Sequence, residues 1–148
     1  ARENITLPTL DGCATLGWVR TREEKSVAKR FFDMMRVKAP SPESDTIGLS
    51  GGNQQKLEIA KWLAARCDVL LLDEPTRGVD VGAKAEIHEL IRGLAREGKG
   101  VLVISSELPE LLALSSRILT LREGRITGEI ARADFSEERV MRLMTGVA

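Results

Sequence analysis

The 148 residues predict an α/β fold with a mostly parallel core sheet and flanking helices, on three observations. Two short runs, VLLLD (69–73) and VLVIS (101–105), are apolar almost throughout and read as strands buried on both faces. Around them, apolar residues recur at helical spacing, as in Ile87, Leu90, Ile91 and Leu94. The two patterns alternate along the chain, as they do where helices carry one strand to the next.

Composition narrows the function classes. An apolar content of 43% can bury a core, and the length suits one domain or part of a larger one. The 22 basic and 22 acidic residues cancel, which leaves no electrostatic footprint for nucleic acid or for an anionic membrane surface. No apolar run approaches the ~18 residues of a membrane span, and the amino end, ARENITLPTL, carries no signal-peptide pattern. Cys13 and Cys67 stand far apart without metal-ligand spacing, so both read as buried free thiols of a reducing compartment.

The elements follow in order. TREEKSVAKRFFDMMRV (21–37) predicts a helix opened by a Thr21/Glu24 capping box, with Val27, Phe31, Met34 and Met35 on its apolar face. The Pro- and Ser-rich KAPSPESDTI (38–47) reads as a loop, separating a small helical subdomain (1–47) from a core (48–148). A helix from about Asn53 to Arg66 buries Leu57, Ala60, Leu63 and Ala64, then leads into the first strand. After the second strand come a short helix over LPELLAL and a hairpin in which RILTL and RITGEI flank the turn REGR. SEERVMRLM closes the chain as a helix with Val140, Leu143 and Met144 on one side.

One stretch imitates a phosphate loop. GLAREGKG (93–100) comes within one residue of G-x-x-x-x-G-K-[ST], but Gly100 replaces the hydroxyl that would ligand Mg²⁺. A phosphate loop needs a strand before it and a helix after it, whereas here the helix comes first. Gly98 is therefore expected to be a helix C-cap.

Two other stretches carry chemistry. In GLSGGNQQK (48–56) a Ser-Gly-Gly turn opens directly into a helix, so free N–H groups and the Ser50 hydroxyl can receive an anion; Ser50 as a plain N-cap fits the same residues. VLLLDEP (69–75) ends a strand in two carboxylates, where open α/β sheets bind ligands. Asp73 is the candidate Mg²⁺ ligand, directly or through water, and Glu74 the candidate base for an attacking water; a solvated pair of loop acids is the alternative.

Taken together, GLSGGNQQK and LLLDEPTRGVDVGAK resemble the nucleotide-binding domains of ABC transporters. LSGGNQQK (49–56) matches the signature, LLLDEP (70–75) Walker B and RGVD (77–80) the D-loop. The wording looks like the second ATPase domain of the tandem ATP-binding subunits that serve bacterial import of ribose, xylose, arabinose and galactosides. The resemblance covers nearly the whole chain but only the back part of such a domain, a partial P-loop NTPase fold with the Walker A portion absent.

The resemblance implies a divided site. The signature, with Ser50, Gly51, Gly52 and Gln54, would clamp ATP held by the other nucleotide-binding domain of the same tandem chain, while Asp73 and Glu74 would serve this domain's own nucleotide and Mg²⁺. Asp80 of the D-loop would face the partner domain and link the two sites. The family's switch histidine aligns with Ser106, which cannot carry an imidazole's proton, so the site with Asp73 and Glu74 is expected to hydrolyse ATP poorly or not at all. His88, the single histidine, falls beside an apolar helical stripe and is read as packing or solvated.

The implied role is that of an ATPase fragment, inactive alone for want of Walker A. When whole it would lie peripherally on the cytoplasmic side of the bacterial inner membrane, docked on permease subunits and served indirectly by a periplasmic sugar-binding protein, with no nucleic-acid partner. Two alternatives stand beside it: a non-catalytic regulatory half that only completes a neighbour's site, and a soluble non-transport ABC ATPase. Strands that would pair with an absent half are expected to leave sheet edges open.

Overall fold

A computed structural model describes residues 1–146. Contacts divide the chain into two compact units, Ala1–Leu71 with Pro75–Leu102, and Leu72–Glu74 with the chain from Val103 onward.

The first unit opens on α1 (Arg2–Thr6), which runs into a 3₁₀ segment, Leu7–Cys13, with proline in its first turn. A small antiparallel hairpin follows, β1 (Ala14–Thr15) with β2 (Trp18–Val19), turning through Leu16 and Gly17 at positive φ as two-residue hairpins require. Then come α2 (Thr21–Met34), α3 (Gly51–Ala64), β3 (Val69–Asp73), α4 (Val81–Arg96) and β4 (Gly100–Ile104), the last two residues of each strand being counted with the second unit. The core of this unit is Ile5, Phe31, Phe32 and Met35 from the first third, with Leu57, Ile59 and Ala60 of α3 and Ile87, Ile91 and Leu94 of α4.

Of two expectations for α2, one fails and the other holds in part. The capping box does not form: Arg20 is the N-cap and Thr21 already lies in the helix. Glu24 turns inward instead, where it is buried, accepts a hydrogen bond from Thr6 Oγ1 at 3.0 Å and pairs with Arg2 Nε at 3.4 Å. A carboxylate taken out of water needs such partners more than a helix end needs a cap. The apolar face keeps Phe31 and Met35 buried and Val27 half-buried as expected, but it also takes in Ala28 and Phe32 and leaves Met34 exposed.

The strands correct a larger expectation. β3 and β4 pair with each other, and the bonds from Gly100 N–H to Asp68 O and from Glu74 N–H to Ile104 O advance in the same direction along both, so the pair is parallel. Neither strand is buried on both faces. Leu70 and Leu72 point inward, but Val69 is 60% exposed, Leu71 69% and Leu102 48%. A run apolar on both sides predicts two covering layers, and within the described residues only one is present.

GLAREGKG is the end of α4. Gly98 has φ +90, its N–H bonds to Ala95 O at 3.1 Å, and Lys99 N–H bonds to Leu94 O at 3.1 Å, which together make a Schellman cap. Lys99 Nζ lies 3.2 Å from Asp68 Oδ1, an ionic contact ahead of β3 rather than a phosphate grip.

The second unit is a hairpin flanked by helices. α5 (Leu108–Leu114) precedes β5 (Arg117–Arg122) and β6 (Arg125–Ala131), antiparallel about the Glu123–Gly124 turn in which both φ values are positive. A 3₁₀ turn, Arg132–Asp134, leads to α6 (Glu137–Thr145), whose N-cap Ser136 accepts from Arg139 N–H at 3.1 Å. Ile118, Ile130 and Val140 form the buried centre, with Leu111, Leu112, Phe135 and Leu143 around it. Met144, expected on the same side, is largely exposed. Both cysteines are free thiols, Cys13 buried and Cys67 only partly so.

Candidate functional site

The first unit holds Ser50, Gly51, Gly52, Gln54 and Asp80 together at the amino ends of α3 and α4. Ser50 is the N-cap of α3, with extended backbone and an exposed side chain that makes no capping bond. Its hydroxyl oxygen instead accepts from Asn53 Nδ2 at 2.9 Å, while its carbonyl receives the N–H groups of Asn53 and Gln54. The N–H groups of Gly51 and Gly52, first in the helix, have no intrahelical acceptor. The turn thus brings two backbone donors, one on exposed Gly51 and one on buried Gly52, and a hydroxyl to the positive end of a 14-residue helix dipole.

Glycine is needed at 52 for clearance. An ideal Cβ there would lie 2.5 Å from Ala83 Cβ and 3.3 Å from Val79 Cγ1, and one at Gly51 would lie 3.3 Å from Gly78 O. The α3 turn therefore rests directly on residues 78–83. Asp80 caps α4 by accepting from Ala83 N–H at 3.0 Å. Gln54 does not point its amide outward: Nε2 donates to Thr46 O at 3.1 Å and Leu49 O at 3.0 Å, which ties the preceding loop to the helix.

Behind this turn lies a charged group not expected from the sequence. Lys56 is only 2% exposed; its ammonium donates to Glu86 Oε2 at 2.5 Å and to Arg36 O at 3.3 Å. Glu86 Oε1 accepts from Lys38 Nζ at 2.7 Å, and the Lys38 N–H donates to Asn53 Oδ1 at 2.8 Å. The signal for Lys56 was present, since it falls four residues after Gly52 and four before Ala60 on the buried stripe of α3. Its partner was not predictable by periodicity, because Glu86 lies 30 residues away.

This pairing has a pH signature. Hydrogen bonds from Lys38 and then Lys56, with the charge of Lys56, draw the Glu86 carboxyl from an ordinary value of 4.5 down to about 2. As pH falls, the unfolded chain takes up this proton first, so the stabilisation is complete above about pH 4.5 and is lost as pH approaches 2. Unfolding measured across that window should show Glu86→Gln with a flatter stability profile than the parent. Parallel profiles for the two proteins would contradict the pairing.

The second unit holds Asp73, Glu74 and Ser106. Asp73 ends β3 with an exposed side chain. Glu74 sits in the left-handed region at φ 49, where a non-glycine residue costs about 1–2 kcal/mol. Two bonds hold it there: its N–H donates to Ile104 O at 2.8 Å, and its Oε1 accepts from Ser106 N–H at 2.8 Å. Ser106, the residue at the switch-histidine position, thus meets the Glu74 carboxylate through its backbone N–H rather than its side chain. Among the described residues no group of three His, Cys, Asp or Glu could hold a metal unaided.

Comparison with known proteins supplies the context. The family model described as ABC transporter matches residues 2–77, just over half of the chain. The chain belongs to the ABC transporter family. This ABC chain is 50% identical over 147 residues to the L-arabinose transport ATP-binding protein AraG of Geobacillus stearothermophilus, covering 99% of its own length and 29% of that protein's. It is 50% identical over 145 residues to the ribose import ATP-binding protein RbsA 2 of Rhizobium meliloti, covering 98% of itself and 28% of that relative. It therefore spans under a third of the curated relatives it matches. Among solved structures, a dimeric ATP-binding cassette, MJ0796, in a post-hydrolysis state with ADP and Pi superposes with a TM-score of 0.73 at 26% identity, over 90% of this chain and 57% of that one. A metal-chelate type ABC transporter in an inward-facing conformation gives a TM-score of 0.81 at 18% identity, over 98% of this chain and 58% of its own, a likeness of fold. The fold is that of an ABC ATPase, with the parallel β3–β4 pair as its piece of core sheet.

Proposed function

We propose that this chain is the back part of the second ATPase domain of a tandem ATP-binding subunit that drives sugar import. The observation that carries the reading is the Ser50 turn. Asn53 occupies a lone pair of the Ser50 hydroxyl, so the proton is left to give, and the first-turn amides of Gly51 and Gly52 stand beside it. Three donors at a helix N-terminus suit a phosphate, which on this reading is the γ-phosphate of ATP held by the partner domain. Gln54 holds the loop behind the turn, and Asp80 sets the start of the neighbouring helix.

Asp73 and Glu74 serve a second nucleotide. Mg²⁺ commonly takes one or two carboxylates and fills its other positions with waters and phosphate oxygens, so an exposed strand-end Asp73 fits an ion that arrives with its nucleotide. The ion would neutralise phosphate charge there, directly on Asp73 or through water. Glu74 would orient water, but its carboxylate already accepts Ser106 N–H, and serine brings no titratable group. That favours a local site that binds without hydrolysing, with turnover at the site completed by Ser50. Alone, the chain is expected to be inert, because neither residue set encloses a nucleotide by itself.

The 45–50% identity to ribose and arabinose import ATP-binding proteins supports the assignment to sugar import, and with it a peripheral place at the cytoplasmic face of the membrane. Permease subunits and a periplasmic sugar-binding protein complete the assembly. Among the described residues no helix is long and apolar enough to cross a membrane.

ATP turnover by the complete subunit with its permease tests this. Ser50→Ala should lower kcat roughly a hundredfold, as loss of a charge-stabilising donor does. Glu74→Gln should change it by less than about twofold. The reverse order would place hydrolysis at the Glu74 site and overturn the proposed division.

A further inference from the structure

We propose that Glu86, which lies outside the signature, Walker B and D-loop stretches named above, is a positioning residue that sets the phosphate-facing turn at Ser50. The proposal rests on the functional reading above and deepens it.

Two contacts, one helical turn apart, fix α3 against α4. The first is steric: at Gly52 and Ala83 there is no room for a methyl group between the helices. The second is ionic: Lys56, one turn after Gly52, meets Glu86, almost one turn after Ala83. Two contacts determine an angle where one would leave a pivot. Because Lys56 is buried, its ammonium needs Glu86 in place, and α3 is held wherever that bond can form.

A polar path runs from the same carboxylate to the turn itself. Glu86 Oε1 accepts from Lys38 Nζ, the Lys38 N–H donates to Asn53 Oδ1, and Asn53 Nδ2 donates to Ser50 Oγ. The three distances lie between 2.7 and 2.9 Å. The two links at Asn53 constrain each other directly, and the exposed Lys38 side chain tethers them to Glu86. With its Oδ1 engaged by the Lys38 amide, the Asn53 side chain presents its NH₂ to Ser50, and the hydroxyl proton of Ser50 faces away from α3. Glu86 thus acts on the turn twice, through the lie of the helix and through the direction of one proton, without touching a nucleotide.

A merely structural role predicts that activity follows stability, and a pair of variants separates the two. In Glu86→Gln the buried ammonium loses its counter-charge, so thermal stability and turnover should both fall. In the double variant Lys56→Met/Glu86→Leu no buried charge is left unpaired, and an apolar pair of similar bulk should restore the Tm close to that of the parent. ATP hydrolysis by the complete subunit with its permease should nevertheless remain reduced roughly ten- to a hundredfold in kcat, the scale of a small misplacement of a binding group. The KM for Mg-ATP should stay within about twofold, since the first grip on the nucleotide belongs to the other domain. Recovery of kcat together with Tm in the double variant would overturn the positioning role, as would unchanged kcat in Glu86→Gln. A parent subunit that hydrolyses no ATP would overturn the functional reading and this inference with it.

Discussion

Gly52→Ala should destabilise the chain by about 1–3 kcal/mol in urea unfolding, a large effect for one added methyl group. The cause is clearance, not backbone conformation, because Gly52 is an ordinary helical residue. Its new Cβ would meet Ala83 Cβ at 2.5 Å, and that atom is fixed to the backbone of α4 and cannot swing aside. The two helices must part. Removing the opposing methyl tests the explanation: adding Ala83→Gly should recover part of the loss, short of all of it because glycine inside a helix costs about 0.5–1 kcal/mol. Gly51→Ala should be milder, since its nearest obstacle is Gly78 O at 3.3 Å. A Gly52→Ala protein as stable as its parent would show that the helices are not in contact there. On the function proposed above, the same substitution in the complete subunit should abolish most ATP turnover, because the displaced turn would carry the donors of Ser50, Gly51 and Gly52.

Ile130→Ala should cost about 2–5 kcal/mol, the usual range for emptying a buried aliphatic site. Ile130 is fully buried opposite Ile118 and packs with Val140 of α6. The second unit has few such residues, so one cavity removes a large share of its apolar packing. The consequence reaches the candidate site, because Glu74 and Ser106 belong to that unit. Amide exchange of Ser106, whose N–H bonds to Glu74 Oε1, should quicken in the variant. A loss below about 1 kcal/mol would mean that the hairpin and α6 hold together by other means.

Much of the architecture was readable because it is set locally. The helical stripe of Ile87, Ile91 and Leu94, the REGR turn with its Glu123–Gly124 pair at positive φ, and the cap at Gly98 each depend on residues within a few positions of one another. The order of helix, strand and helix follows from them. The Ser50 turn was readable for the same reason, since a serine and two glycines before an amphipathic run make a helix start without help from elsewhere. α1 and the β1–β2 hairpin were missed because they are too short to show a period.

What local pattern could not supply was the choice among partners. Thr21 and Glu24 have capping-box spacing, yet Glu24 is claimed by Arg2 and Thr6, which pack against it from the chain's first residues. Gln54 lies in the motif expected to face phosphate, yet its amide is taken by two carbonyls of the loop before it. The apolar runs of β3 and β4 carry no record of which face has a neighbour within these residues. Sequence by itself therefore determined the longer elements, their order and the family, and named candidate residues for the chemistry, because turn preferences and periodicity act over a handful of positions. Only the tertiary structure decided that Lys56 meets Glu86 across 30 residues and that Lys38 reaches the same carboxylate across 48. A buried charge selects its partner by where the helices come to rest, and that is settled by packing rather than by spacing along the chain.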